Sequence, residues 1–356
     1  MNCYFVVPSL KISGGVREAL RLAENMARRG SNSTIVCMWD SPYAMKATLP
    51  LRHLSKRAPR VGRALFDLPG LFLQFRRLVR EVLLVSGVHR VRFVFTHYAT
   101  LPLALILPRE DRLFFVQDLE WKFVGNTVLS SLLRRIIVFF YRRGTVISSN
   151  SYLTAALHRL NVPVCAESPI WADPAFATDC TTGERDVDFV MVLRKGAHKR
   201  LDLYLSFIDQ ARRQGDVSIV VISPENDIIE AVRDRVATAM TRPSTEEMRQ
   251  VYRRSKCFVH LSDHEGFGLP PLEAMGAGCV PICRDSGGVR AFIADSELAW
   301  LLISPETGID EIFRRSCKLI RQPTRLEALS RAAKDVFVRG LETRLEADHA
   351  LRGILF

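Results

Sequence analysis

At 356 residues, 48% apolar and 25% charged, the chain is too long for one ordinary domain and too apolar for a disordered one; it suits two α/β domains. The net charge of +12 is uneven: residues 1–170 hold 24 Lys/Arg and 10 Asp/Glu (+14), which leaves 26 and 28 (−2) for residues 171–356. The apolar runs Leu101–Leu107 and Ile136–Tyr141 are cut by Arg109, Glu110, Arg134 and Arg135, well short of the ~20 residues of a spanning helix, and eight scattered cysteines without paired C-x-x-C spacing argue against a disulfide framework or a zinc site.

The chain opens on an apolar run, Cys3–Val7, with no basic stretch ahead of it, which reads as a buried strand and places the expectation in the cytoplasm. Helix Val16–Arg29 and strand Ser33–Met38 follow. Residues 41–90 fit the alternation poorly; Pro50, Pro59 and Pro69 interrupt basic and apolar residues of the kind found in amphipathic helices. Strands at Arg92–Phe95 and Leu113–Val116, helix Val128–Tyr141, strand Thr145–Ile147 and helix Tyr152–Leu160 complete a first series that argues for a parallel sheet. A Pro- and Thr-rich interval near Ser168–Asp186 is the linker.

A second series runs strand Val187–Leu193, helix Arg200–Arg213, strand Val217–Ile222, helix Asp227–Ala237, a short strand near Ala239–Thr241, helix Thr245–Arg253, strand Cys257–Leu261, helix Leu269–Met275 and strand Val280–Cys283. From Ile309 the composition reads as two or three helices. The basic clusters Arg52–Arg63, Arg76–Arg80 and Arg134–Arg143 suit either solvated helix faces or an anionic partner: a lipid surface, an anionic acceptor or nucleic acid. No aromatic-interleaved basic motif or zinc spacing supports nucleic acid.

Parallel sheets bind ligands where strand ends lead into helix N-termini. Three such places stand out. Ser13-Gly14-Gly15-Val16 follows the first strand and lets backbone approach a ligand, although a glycine pair is more often a plain turn. Leu193–Arg200 sets Arg194, Lys195, Lys199 and Arg200 at one strand end, where fixed cations suit a diphosphate; the alternative is a solvated basic turn. The third, His264–Gly278, places the carboxylates Glu265 and Glu273 eight positions apart around a glycine-containing turn, an arrangement suited to two hydroxyl-rich groups flanking a phosphate.

Glu265–Glu273, followed by Ala274-Met275-Gly276-Ala277-Gly278-Cys279-Val280-Pro281, resembles the E-x7-E signature of the retaining glycosyltransferases of family 4. The resemblance extends to Gly14-Gly15, to an Arg/Lys pair after the linker and to Thr245-Glu246-Glu247 before Tyr252; it is thin between residues 41 and 90. It implies an α/β chain of GT-B fold, two Rossmann-like domains with parallel sheets facing a central cleft: an acceptor-side domain over 1–170, a nucleotide-sugar domain over 171–335, and a C-terminal helix over 336–356 returning to the first domain. It implies a hexosyl transfer without cofactor or metal from a nucleoside-diphosphate sugar to a saccharide acceptor, in bacterial polysaccharide assembly; the +14 of the first half adds the expectation of a lipid-linked acceptor and peripheral contact at the anionic inner membrane face. An epimerase or phosphorylase of the same fold is the alternative.

Carried over by position, the resemblance makes Arg194 and Lys199 the phosphate-binding pair; Lys195 fits the spacing equally, and Lys199 is preferred because Leu201, Leu203 and Leu205 follow it. Glu265 falls near the donor sugar, Glu273 on ribose hydroxyls, and Gly266, Phe267, Gly268 and Leu269 near sugar and phosphate, with Gly14 and Gly15 also on the donor and Arg242 and Pro243 at the base. Where many family members carry a histidine, this chain has Gln117 and Asp118, a version resembling a subgroup that includes bacterial rhamnosyltransferases. Gln117, Asp118 and Glu120 are assigned to the acceptor side, with Asp118 counted beside Arg194, Lys199 and Glu265 as catalytic; His97, which ends a strand in Phe95-Thr96-His97-Tyr98, suits either an acceptor contact or a packing role. Asp118-Leu119-Glu120 mimics a D-x-D metal motif, taken as coincidence. His260 reads as structural.

Overall fold

The computed structural model describes residues 1–10, 14–40, 46–55, 68–86, 91–124, 127–178 and 185–350. Ser13, Cys180, most of the basic run Arg52–Arg63 and much of 41–90 lie outside them. The chain divides into one unit of Met1–Trp121, Asn126–Ile170 and Ala347–Phe356 and a second of Lys122–Gly125 and Trp171–Glu346.

In the first unit β1 (Asn2–Val7), α1 (Gly14–Arg28), β2 (Asn32–Cys37), β3 (Leu51–His53), α2 (Leu68–Ser86), β4 (Val91–Phe95), β5 (Arg112–Val116), α3 (Val128–Tyr141), β6 (Thr145–Ser148), α4 (Ser151–His158) and β7 (Ala166–Glu167) follow in order. Their strands form a parallel sheet ordered β3-β2-β1-β4-β5-β6-β7. β5 is buried along its whole length, as a parallel strand covered on both faces must be. On one face Phe75 of α2 meets Phe93 and Phe95 edge-on, and Phe95 continues to Phe114. Thr127 and Asn150 cap α3 and α4 by accepting the N–H of Ser130 and Leu153.

Among the described residues of 41–90 are an amphipathic helix, α2, and an edge strand, β3, which at three residues is too short to show in the pattern. The apolar run after β4 forms a 3-10 turn over Tyr98–Ile106 that contains Pro102. Among the described residues no helix is long and apolar enough to cross a membrane.

The second unit comprises β8 (Val187–Val192), α5 (Leu201–Gln214), β9 (Ile219–Ser223), α6 (Asn226–Val232), β10 (Thr238–Thr241), α7 (Thr245–Arg254), β11 (Ser255–His260), α8 (Leu269–Gly276), β12 (Val280–Arg284), α9 (Arg290–Ile293), β13 (Leu302–Ile303), α10 (Ile309–Ile320) and α11 (Pro323–Ala350). Its parallel sheet runs β10-β9-β8-β11-β12-β13. β9 and β12 are wholly buried. Gly215 ends α5 in the left-handed conformation, and Ser244 and Glu247 form a reciprocal capping box on α7.

Trp171 fastens α11 within this unit. Its indole N–H donates to the Phe337 carbonyl at 2.9 Å, Arg344 donates to its own carbonyl at 3.0 Å, and its ring packs with Phe267, Phe292 and Phe337. Residues 351–356, the end of the helix expected to return to the first domain, lie outside the described residues.

Gly340 is the position that lets α11 pass Trp171, because a Cβ there would lie 1.9–2.3 Å from the indole ring. Helix propensity alone favours alanine over glycine by about 1 kcal/mol. Overpacking of this severity outweighs it, so Gly340→Ala is expected to lower stability by about 1–3 kcal/mol net in urea denaturation. An equal or higher midpoint would show that α11 shifts without loss.

Candidate active site

In the second sheet the strand order reverses between β8 and β11: the chain builds outward from β8 through β9 and β10, then returns to β8's other side. Ligands of such sheets bind outside the carboxyl ends of the strands at that reversal. The loop after β8 carries Lys199 and the loop after β11 carries Glu265. Lys199 Nζ donates to both Glu265 oxygens, at 2.7 and 2.9 Å, with only 22% and 16% of the two side chains exposed.

The loops are joined at further points. The Asp263 N–H donates to the His198 carbonyl at 2.8 Å, Arg200 and Arg284 both bridge to Asp263, and Arg200 also holds Asp202. Arg200 does this from a left-handed backbone, φ 51°, directly before α5. Tyr204 of α5 lies beneath, its buried hydroxyl accepting the Leu261 N–H at 2.8 Å.

A third loop, after β12, supports Glu265 from the other side. The Glu265 N–H donates to the Ser286 carbonyl and the Gly288 N–H to the Glu265 carbonyl, each at 3.0 Å. Gly288 has to be glycine, since a Cβ would stand 2.4–2.6 Å from backbone atoms of Glu265, Gly266 and Phe267. Nothing in the spacing of Ser286-Gly287-Gly288 marks this role; it follows from adjacency of β11 and β12.

Burial alone would push the Glu265 carboxyl up, but Lys199, with His260 and a hydrogen bond from Ser262, outweighs it and holds the group at about 2. Burial lowers His260 to about 4, so its ring is neutral at neutral pH. His260 Nε2 lies 3.7 Å from Glu265 and 3.5 Å from the Ser286 hydroxyl. The ring expected to be structural therefore faces the carboxylate.

The remaining predicted residues of this unit are distributed as follows. Gly266 and Phe267 continue the loop, Gly268 opens α8 at φ 95°, Leu269 is its first residue, and Glu273 is buried on its second turn. Arg194 is exposed at the start of the loop after β8. Its three basic neighbours each carry an acidic partner: Lys195 pairs with Asp227, Lys199 with Glu265 and Arg200 with Asp202 and Asp263. Arg242 and Pro243 follow β10, where Arg242 Nε donates to the Pro224 carbonyl; they lie on the β9–β10 wing, not against the ion pair. Phe123, which no pattern singled out, stacks on His198 at 5.1 Å and lies 6.3 Å from His264.

In the first unit the corresponding reversal lies between β1 and β4. Gly14 and Gly15 begin α1 after β1, and Gln117 and Asp118 follow β5. Gly15 and Gln117 come together: a Cβ on Gly15 would be 3.3 Å from Gln117 Oε1, a buried oxygen without a hydrogen-bond partner among the described residues. Asp118 accepts the Leu119 N–H at 2.7 Å. His97 caps the 3-10 turn through Nδ1, while Nε2 lies 3.6 Å from buried Glu120, which accepts the Tyr98 N–H at 2.7 Å. Burial lowers His97 to about 4 and raises Glu120 well above the usual carboxylate range, so burial disfavours the charge on each.

A pocket of about 350 Å³ also opens in the second unit, at the amino ends of β8, β9 and β10 against α7. It contains none of the predicted residues.

The pH dependence of stability follows with a definite sign. His260, ordinarily near 6.5, sits at about 4 when folded, so its contribution is whole above pH 6.5 and is lost as pH falls toward 4; His97 adds a loss of the same sign, while Glu120, raised by burial, acts in the opposite sense because the folded chain holds its proton where the unfolded chain releases it. Glu265, at about 2 against 4.5, extends the decline below pH 4.5. The thermal midpoint should fall between pH 6.5 and 4, and the fall should be shallower in His260→Gln. An unchanged slope would assign the decline to other groups.

Residues 181–336 match the family model described as Glycosyl transferases group 1, which shows such a domain in the second half of the chain. Sixty-six residues are 41% identical to the GDP-mannose:cellobiosyl-diphosphopolyprenol alpha-mannosyltransferase of Xanthomonas oryzae pv. oryzae (strain PXO99A), 17% of either chain. The matched segments span only 14–17% of the length of the curated relatives. Over whole chains, sucrose-phosphate synthase from Thermosynechococcus elongatus superposes with a TM-score of 0.78 at 14% identity, covering 99% of each chain. HepE of Anabaena, solved with UDP and glucose, gives 0.75 at 14% identity over 99% of this chain and 100% of its own. At that identity the likeness shows the fold, which is GT-B.

Proposed function

We propose that the chain, with its group 1 glycosyltransferase domain over residues 181–336, is a retaining family 4 glycosyltransferase that moves a hexosyl group from a nucleoside-diphosphate sugar to a saccharide or lipid-linked acceptor. The observation that carries this reading is the Lys199–Glu265 pair at the reversal of the second sheet, where a diphosphate-binding cation and a hydroxyl-binding carboxylate are already in contact.

An arriving donor exchanges that contact for two others: its diphosphate takes Lys199, with Arg194 alongside, and a sugar hydroxyl donates to Glu265. Glu273 receives ribose hydroxyls, the amides of Gly266–Leu269 face sugar and phosphate, and Arg242 and Pro243 border the base. The bond from the anomeric carbon to the diphosphate oxygen breaks as the bond to the acceptor oxygen forms on the same face, and the acceptor proton passes to a diphosphate oxygen. Fixed cations stabilise the charge on the leaving diphosphate, so no metal step is invoked. His97, Gln117, Asp118 and Glu120 are assigned to the acceptor.

The Gln117-Asp118 resemblance to a subgroup that includes rhamnosyltransferases and the GDP-mannose in the name of the Xanthomonas relatives both support a nucleoside-diphosphate hexose as donor. Bacterial polysaccharide assembly, with a lipid-linked acceptor at an anionic membrane face, is the setting that accounts for +14 on the first half.

A thermal-shift screen of UDP-glucose, GDP-mannose and dTDP-rhamnose should give an upward shift with one donor, abolished in Glu273→Ala. No shift with any donor overturns the donor site. Lys199→Ala should lower turnover by at least about tenfold while weakening donor affinity less. A variant with unchanged turnover removes Lys199 from the chemistry.

A further inference from the structure

α3 buries one side, with Ile137, Val138, Phe140 and Tyr141 in the core of the first unit. Its other side is also apolar. Val128, Leu129, Leu132, Ile136 and Phe139 are 45–88% exposed, and at 3.6 residues per turn they fall within an arc of about 100°. Soluble surfaces scatter such residues singly; a continuous stripe of five marks a surface meant to be covered.

The surroundings identify the cover. α2 and the 3-10 turn Tyr98–Ile106 lie in the same layer as α3, packed into one core cluster, and add exposed Leu73 and Leu105. Exposed Arg76, Arg77 and Arg80 on α2 and Arg135 on α3 border these residues, Arg134 lies on the opposite side of α3, and Arg143 stacks over the Phe139 ring at 3.6 Å. Val128–Tyr141 contains no acidic residue, and the single acid of α2, Glu81, faces Arg52 at 3.7 Å. A second copy on a twofold axis would set these arginines against one another without counter-charge. A surface that supplies both acyl chain and phosphate satisfies both halves of the pattern.

We propose that α3 is an interfacial docking helix, lying in the plane of an anionic lipid bilayer with Leu129, Leu132, Ile136 and Phe139 at the acyl boundary and Arg135, with the α2 arginines, on lipid phosphates. This gives a face to the membrane setting proposed above, and it stands or falls separately from the transferase chemistry, because no residue of the donor site takes part.

Co-sedimentation of the full chain with phosphatidylcholine vesicles, with and without phosphatidylserine, tests it. Binding should be at least about tenfold tighter with the anionic lipid and weaken with added salt. Leu132→Glu/Ile136→Glu should abolish it, and Arg77→Glu/Arg135→Glu should remove the preference for phosphatidylserine, each with an unchanged thermal midpoint because the side chains are exposed. Should the glutamate pair lower the midpoint, Leu132→Ala/Ile136→Ala replaces it and should weaken binding in the same direction. The proposal is overturned if folded wild type fails to sediment with anionic vesicles, if the folded variants sediment as it does, or if the stripe variant instead dissolves a lipid-free dimer in analytical ultracentrifugation.

Discussion

A carboxylate buried against a sheet is stable as an anion only if a cation reaches it, and Glu265 obtains its cation from a residue 66 positions earlier in the chain. That requirement ties the loop after β8 to the loop after β11. The ties beside it, Arg200 and Arg284 on Asp263 and the backbone bond from Asp263 to His198, hold the two loops in a fixed relation. The loop after β12 then closes on Glu265 from behind. Three strand ends, adjacent because their strands are, are thereby made into one polar surface above an apolar sheet.

The first unit handles its polar groups differently. Where the second unit stabilises charge by pairing, the corresponding edge of the first contains groups for which burial disfavours charge: His97 is lowered, Glu120 is raised, and Gln117 is neutral by nature. Three of its polar groups thus supply hydrogen-bonding capacity without a favoured charge, beside the Asp118 carboxylate, in a unit that bears the chain's basic excess. That excess lies instead on helices such as α2 and α3, away from the strand ends.

Much of this was legible in the residues. Strand Val187–Leu193 differs from the observed β8 by one residue, and Val128–Tyr141 coincides with α3, because an uninterrupted apolar run and a capped helix each carry their own boundary signals. Glu265 and Glu273 stood out by spacing alone. Other features were not legible, for a common reason: they depend on what lies across space. Lys195, Lys199 and Arg200 looked like one cationic cluster because their acidic partners come from other elements. His260 looked structural because its neighbour Glu265 is reached only by a turn. Ser286–Gly288 and Phe123 acquire their places from strand adjacency and chain crossing, and β7 and β13, at two residues each, are too short for any period to register.

The order β10-β9-β8-β11-β12-β13 also bears on how the molecule assembles. β8, β9 and β10 pair with near neighbours in sequence, whereas the β8–β11 seam joins residues such as Phe189 and Cys257, which the chain must bring together across a long loop. Local pairings close first and distant ones late, so the seam joins two halves that can each begin alone. Lys199 and Glu265 stand on opposite sides of it. Their meeting therefore marks the joining of the two wings, and the Lys199–Glu265 pair is a late feature of the folding chain, absent from any species in which only one wing has formed.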